Sequence, residues 1–188
     1  MIFFSIACQY AVLDPAVEDT SSSIVEEEPD PITQIDPALL PAAAAPCRTP
    51  ILVSVNHVVD GDTVFVQTTT GEEKIRLIGV DTPEFGYEDD PDECYASEAK
   101  GFLAQLIEDR QIWLTFDQTC VDTYNRTLAY LHTNIGSHGF VQRQILQRGM
   151  APDFPFSDTP TFNDVFAEDA ANAAAAGLGG WSACGWND

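Results

Sequence analysis

The chain has 188 residues, room for one domain and an appendage, and its 45% apolar content is ordinary for a packed core. Its formal net charge of −22, from 8 Lys and Arg against 30 Asp and Glu, excludes a broad basic surface and with it a protein that merely coats nucleic acid. No uninterrupted apolar stretch is long enough to span a bilayer, and composition does not separate functional acidity from that of a halophilic or marine source.

The first seven residues, Met-Ile-Phe-Phe-Ser-Ile-Ala, form a short apolar run that closes on a small residue ahead of Cys8. That is the outline of a lipoprotein signal without its basic start. It predicts an exported protein attached to a membrane through a lipidated Cys8. Cys47, Cys94, Cys120 and Cys184 remain as an even set, with no C-x-x-C spacing for a zinc site. Two disulfides in an oxidising compartment and free thiols in the cytosol both fit that count, and the export outline favours the first. Residues 14–46 are rich in Asp, Glu, Ser, Pro and Ala and hold no basic residue, which predicts a disordered tether. The reading is a leader and tether over 1–49 and a folded domain over 50–188.

From Ile51 the texture changes. Residues 51–59 and 63–68 are β-branched and apolar, a Thr-Thr-Gly-Glu turn surrounds Gly71, and 74–80 makes a third strand. A loop over 85–95 carries Glu88, Asp89, Asp90, Asp92 and Glu93. In 96–110, Ala99, Phe102, Leu103, Leu106 and Ile107 keep the spacing of an amphipathic helix. Segments 111–116 and 128–132 read as strands, 140–147 as a short helix closed by Gly149, and 163–176 as an alanine-rich helix. This order predicts an α+β fold that is mainly β. Its core is a five-stranded OB-fold barrel with one helix between the third and fourth strands and two C-terminal helices.

Two segments could carry chemistry: Asp60-Gly61-Asp62-Thr63 between the first two strands, and R-L-I-G-V-D-T-P-E over 76–84. Hard divalent cations take carboxylates and backbone carbonyls. Asp62, Asp81 and the carbonyl of Thr82 could supply them, with Pro83 fixing the backbone after Thr82. A phosphodiester also needs positive charge, which the planar fork of arginine suits. Arg76 and Arg126 are the candidates, and Glu84 is placed to activate a water. Singly, each residue has a plain structural reading: a turn, a surface ion pair, a helix-start carboxylate, a barrel-rim side chain. Their ordered occurrence on one predicted barrel is what selects the chemical reading.

With V-V-D-G-D-T-V at 58–64, I-R-L-I-G-V-D-T-P-E at 75–84, S-E-A-K-G-F at 97–102 and D-T-Y-N-R-T-L-A-Y at 122–130, the chain resembles the staphylococcal nuclease (thermonuclease) family. I-L-Q-R-G-M-A at 145–151 and G-W-S at 180–182 continue the resemblance. The resemblance implies Ca²⁺ held by Asp62, Asp81 and the Thr82 carbonyl, with Asp60 supporting them. It implies that Arg76 and Arg126 hold the scissile phosphate, that Glu84 orients or deprotonates the water, and that Tyr124 contacts the nucleotide. The implied activity is cleavage of DNA and RNA, preferring single-stranded or unwound substrate and leaving 3′-phosphate ends. A monomer without a protein partner is expected. A non-catalytic OB-fold nucleic-acid-binding module and an acidic calcium-binding surface protein are the alternatives.

Three departures from the family pattern stand out. The lysine-rich loop after T-P-E is here the acidic 85–93, Thr123 stands where a lysine precedes Tyr124, and Phe154 and Phe156 replace tyrosines beyond Gly149. The predicted topology puts Cys94 and Cys120 in loops beside the barrel and lets Cys47 and Cys184 bracket the domain. The expected pairs are therefore Cys94–Cys120 and Cys47–Cys184.

Overall fold

The computed structural model describes residues 30–158 and 161–186. The apolar run ahead of Cys8, Cys8 itself and the first half of the expected tether lie outside the described residues. Strands β1 (Ile51–Val58), β2 (Thr63–Thr68) and β3 (Gly71–Leu77) are followed by helix α1 (Ala96–Ile107) and then by β4 (Gln111–Thr115) and β5 (Thr127–His132). Helices α2 (Val141–Gln147) and α3 (Asn163–Ala175) and a last short turn α4 (Gly180–Ala183) complete the order. The strands close into a barrel in the order β1-β2-β3-β5-β4, which is the predicted OB-type architecture. Among the described strands β3 and β5 alone pair in parallel; β4 closes the barrel against β1, with Ile51 opposite Leu114.

Alternation along the strands drives this closure. Val64 and Val66 on β2, Ile75 and Leu77 on β3 and Ile112 and Leu114 on β4 are completely buried. Helix α1 covers one end of the barrel with Ala99, Leu103 and Ile107, and it stops where Asp109 takes a left-handed φ of 59°. The expected third strand, 74–80, instead leaves the sheet after Leu77. At Gly79 φ is +83°, and a Cβ there would stand 2.3 Å from the Phe166 ring. Only glycine allows that turn and that closeness to α3. The turn delivers residues 80–84 to the barrel rim.

Contrary to the expectation of a disordered tether throughout 14–46, residues 30–46 lie on the barrel. Two single turns of 3-10 helix, Pro31–Gln34 and Pro37–Leu39, are each started by an aspartate whose carboxylate accepts a backbone N–H two residues on. Ile32, Leu40 and Ala43 are buried. The Trp113 indole donates to the Ile32 carbonyl at 2.9 Å, and the Thr115 hydroxyl donates to the Pro41 carbonyl at 2.8 Å. Apolar residues spaced irregularly between prolines show neither period, yet they suffice to cover β4.

The expected cysteine pairing is overturned: the disulfides are Cys47–Cys120 and Cys94–Cys184. The reason lies in that same segment. It runs along β4, and the Cys47 N–H donates to the Asp117 carbonyl at 2.7 Å, which sets Cys47 beside the connection leading into β5. The C-terminus folds back to α2, with the Gly180 N–H on the Gly149 carbonyl at 2.9 Å, and reaches the start of α1 instead.

Under the strap lies a buried histidine. His132 Nε2 is 2.9 Å from the Thr115 hydroxyl oxygen, and since that hydroxyl donates to Pro41, Nε2 must carry the proton. Nδ1 is buried without a hydrogen-bond partner among the described residues, and burial pushes the ring's pKa down to about 3. The unfolded chain takes up this proton near pH 6.5 while the fold refuses it, so stability falls as pH drops below that value. Relative to His132→Phe, the wild type should lose about 2 kcal/mol between pH 7.5 and pH 5. Urea denaturation of both proteins at the two pH values checks this.

Candidate active site

The turn between β1 and β2 and the segment after β3 meet at one end of the barrel. Thr63 pairs with Arg76 across β2 and β3, and the Leu77 N–H donates to the Asp62 carbonyl at 2.8 Å. A Cβ on Gly61 would lie 2.7 Å from the Thr82 side chain, so the glycine of D-G-D is what lets the two segments touch. Asp60 accepts the Asp62 N–H at 3.0 Å and shapes the turn.

Asp62 is almost fully buried, at 1% exposure. Its Oδ2 accepts the Thr82 N–H at 2.9 Å and the Thr82 hydroxyl at 3.0 Å, and it stands 3.0 Å from Arg76. Arg76 donates further to the carbonyls of Leu77 and Val80 and, at 2.7 Å, to Asp81 Oδ1. One guanidinium thus joins Asp62 to Asp81 and folds 77–81 around itself. Burial, with Asp62 adding repulsion, raises the pKa of Asp60; burial, together with Asp62 and Glu93, raises Asp81 despite Arg76 and Arg126. Glu84 is raised by burial and then by Asp60, Asp62 and Asp81.

Asp60, Asp62, Asp81 and Glu84 lie along this rim with Arg76 bridging two of them, so carboxylates outnumber the guanidinium among them, a condition that a hard divalent cation relieves. No group of three or more His, Cys, Asp or Glu stands close enough to enclose an ion among the described residues. Asp62 and Asp81, joined through Arg76, are the oxygen donors the structure brings together here, and they would offer a hard divalent cation a partial shell to be completed by water.

Arg126 reaches the same rim from the turn before β5. Asp122 Oδ1 accepts the N–H groups of Tyr124 and Arg126 at 2.9 and 2.8 Å, and Oδ2 accepts Arg126 Nε at 2.6 Å. Burial alone would raise Asp122, but the Arg126 bonds outweigh it and hold the carboxyl below the usual carboxylate range. The guanidinium lies 5.4 Å over the Tyr124 ring, which is itself 80% exposed. Arg126 and Tyr124 wall two hollows. One, of about 260 Å³, includes Arg76, Leu128, Phe156 and Asp158; the other, of about 460 Å³, includes Lys74 and Glu84.

Asp60, Asp62, Arg76, Asp81, Thr82, Glu84, Tyr124 and Arg126 are thus brought to one barrel end. The family described as staphylococcal nuclease homologue matches residues 74–183, more than half of the chain. The chain belongs to the staphylococcal nuclease family. It is 38% identical over 77 residues to a thermonuclease of Staphylococcus intermedius, covering 41% of this chain and 46% of that protein. It is 32% identical over 138 residues to an uncharacterized Bacillus anthracis protein, covering 71% and 62%. It is 28% identical over 136 residues to endonuclease YncB of Bacillus subtilis, covering 71% and 63%. The chain spans about half the length of the staphylococcal thermonucleases it matches.

In this family member Asp60 and Asp62 precede the matched stretch, and the β2–β3 register is what sets them against Thr82 and Arg76. Two site residues escaped the sequence reading. Lys74 lines the hollow with Glu84, and its position two residues before Arg76 on β3 was the available signal. Asp122, the seat of Arg126, had only the local D-x-x-x-R spacing to betray it. Asp122→Ala should cost about 2 kcal/mol of stability, since three donors lose a charged acceptor. Asp122→Asn, which still accepts but carries no charge, should lose less than half of that; urea denaturation of both variants checks it.

Proposed function

We propose that this protein is a calcium-dependent nuclease that hydrolyses phosphodiester bonds of DNA and RNA, prefers single-stranded or unwound substrate and leaves 3′-phosphate ends. The observation that carries the reading is the meeting of Arg76, Arg126 and Glu84 with the Asp62, Asp81 and Thr82 donors at one barrel end. The thermonuclease and endonuclease names of the relatives support it.

Asp62 and Asp81 would hold Ca²⁺, which when bound supplies a Lewis acid for a phosphate oxygen. The remaining steps belong to the protein. Arg126 stands between the two hollows with Asp122 occupying only its Nε–H, which leaves its terminal nitrogens for phosphate oxygens. Arg76 lines the first hollow while neutralising Asp62 and Asp81, so its fork is aimed before substrate arrives. Glu84 lines the second hollow beside Arg126 and Lys74, which suits its carboxylate to taking a proton from the attacking water. The Tyr124 face and the Phe156 wall suit a base splayed out of a single strand. Export through the leader, with attachment at Cys8, is part of the same proposal, and two disulfides are consistent with an oxidising compartment.

Release of acid-soluble nucleotides from heat-denatured DNA should require Ca²⁺ and vanish with a chelator. Glu84→Gln, Arg76→Ala and Arg126→Ala should each lower kcat by about 10²- to 10⁴-fold, while Thr119→Ala stays near wild type. Folded protein that binds Ca²⁺ and single strands yet releases nothing would leave the binding-module reading instead.

A further inference from the structure

Glu84 stands at the junction of a buried segment and an exposed one. Thr82 and Pro83 before it are buried, whereas every residue of 84–94 is exposed. Six of the ten residues 84–93 are carboxylates, whose mutual repulsion favours an extended segment. Nevertheless the segment closes at its base. The Glu84 N–H donates to Glu93 Oε2 at 3.0 Å, and the Glu93 N–H donates to the Glu84 carbonyl at 2.9 Å. One rung higher, the Gly86 N–H donates to Asp92 Oδ1 at 3.0 Å.

Something must hold Glu93 for Glu93 to hold Glu84. Its neighbour Cys94 is bonded to Cys184. Tyr95 meets Trp186 edge-on at 6.1 Å, and Trp186 meets Trp181 at 5.5 Å. Trp181 packs against the hydrophobic core, and a Cβ on Gly180 would stand 2.1 Å from the Trp186 ring, so the C-terminal turn is closely fitted. A rigid path thus runs from the core through the C-terminal turn and the disulfide to Glu93.

We propose that Glu93 is a positioning residue for Glu84, and that the Cys94–Cys184 disulfide holds Glu93 in place. The role given to Glu84 rests on the nuclease reading above. Asp62, Arg76 and Arg126 are set by the barrel and by Asp122, so loosening the loop acts on turnover and not on binding. Misplacement of a reacting group by about 1 Å costs on the order of 100-fold in rate.

The full-length oxidised protein is compared with Glu93→Ala, Glu93→Gln and the double variant Cys94→Ala, Cys184→Ala, by steady-state cleavage of denatured DNA and by amide exchange at Glu84. Glu93→Ala and the double variant should lower kcat by at least about tenfold with KM within about twofold, and the double variant, which keeps the Glu93 charge, should also hold the calcium midpoint within about twofold. Glu93→Gln keeps an acceptor oxygen and should return kcat to within about threefold of wild type. The Glu84 N–H should exchange at least about tenfold faster in Glu93→Ala. A wild type that cuts, with Glu93→Ala unchanged in kcat or in Glu84 exchange, overturns the positioning role alone, even if the double variant does not fold. A loss carried by KM overturns it too. A wild type that cuts nothing overturns the nuclease reading and this role with it.

Discussion

A guanidinium inside a barrel wall must find a partner for its charge and for its N–H groups, and Arg76 imposes that demand on everything around it. At 5% exposure it cannot turn to water. Its partners are the Leu77 and Val80 carbonyls and the carboxylates of Asp62 and Asp81. Replacing such a cluster by apolar residues often costs a fold nothing, so the pair is poorly explained by stability alone. It is better explained as geometry. To serve Arg76, the chain after β3 must curl at Gly79, and that curl delivers Asp81, Thr82 and Glu84 to the rim. Two glycines, Gly61 and Gly79, make the approach sterically possible. The candidate site is therefore a by-product of satisfying one buried cation.

Much of this was legible in the order of residues because the signals are local. Strand alternation from Val53 to Leu131 gives the barrel, and the i, i+3, i+4 spacing from Ala99 to Ile107 gives α1. The site residues sit in short segments whose glycines and proline mark where the backbone must bend. What local pattern could not reveal is who meets whom across the fold. Asp62 meets Thr82 and Arg76 only because β2 and β3 pair in one register.

The strap over 30–49 and the disulfide pairing depart from what the sequence predicts for one reason. Ile32, Leu40 and Ala43 are buried at spacings that follow neither a strand nor a helix, because the segment is shaped by prolines and aspartate-capped turns. A period-based reading therefore assigns no fold to it. With the strap left free, Cys47 has no reason to stand beside Cys120, and symmetry of position along the chain suggests the wrong partner. The strap also explains why His132 is fully buried: its partner Thr115 is itself capped by Pro41. A cysteine pairing is a statement about long-range topology, and one unplaced segment of 20 residues is enough to invert it.

The net charge of −22 looks incompatible with a polyanionic substrate until length scales are separated. Exposed charges more than about 8 Å apart are largely screened at physiological ionic strength. Inside that radius the relevant count is local: Lys74, Arg76 and Arg126 line the hollows beside Glu84, Asp122 and Asp158, with Asp122 paired to Arg126 and with Asp62 and Asp81 paired to Arg76. The acidic segment 85–93 would act at intermediate range on a nucleic-acid substrate, repelling a phosphate chain at low salt and losing that reach as salt rises. A basic nuclease gains encounter rate from its surface, with binding that weakens as salt is added. On the proposed function the acidic surface would oppose encounter, and moderate salt would remove that barrier before it weakened the short-range grip of Arg126 on a phosphate. The same acidity that argues against a passive coat for nucleic acid is thus tolerable for a protein that needs only one phosphate held correctly at a time.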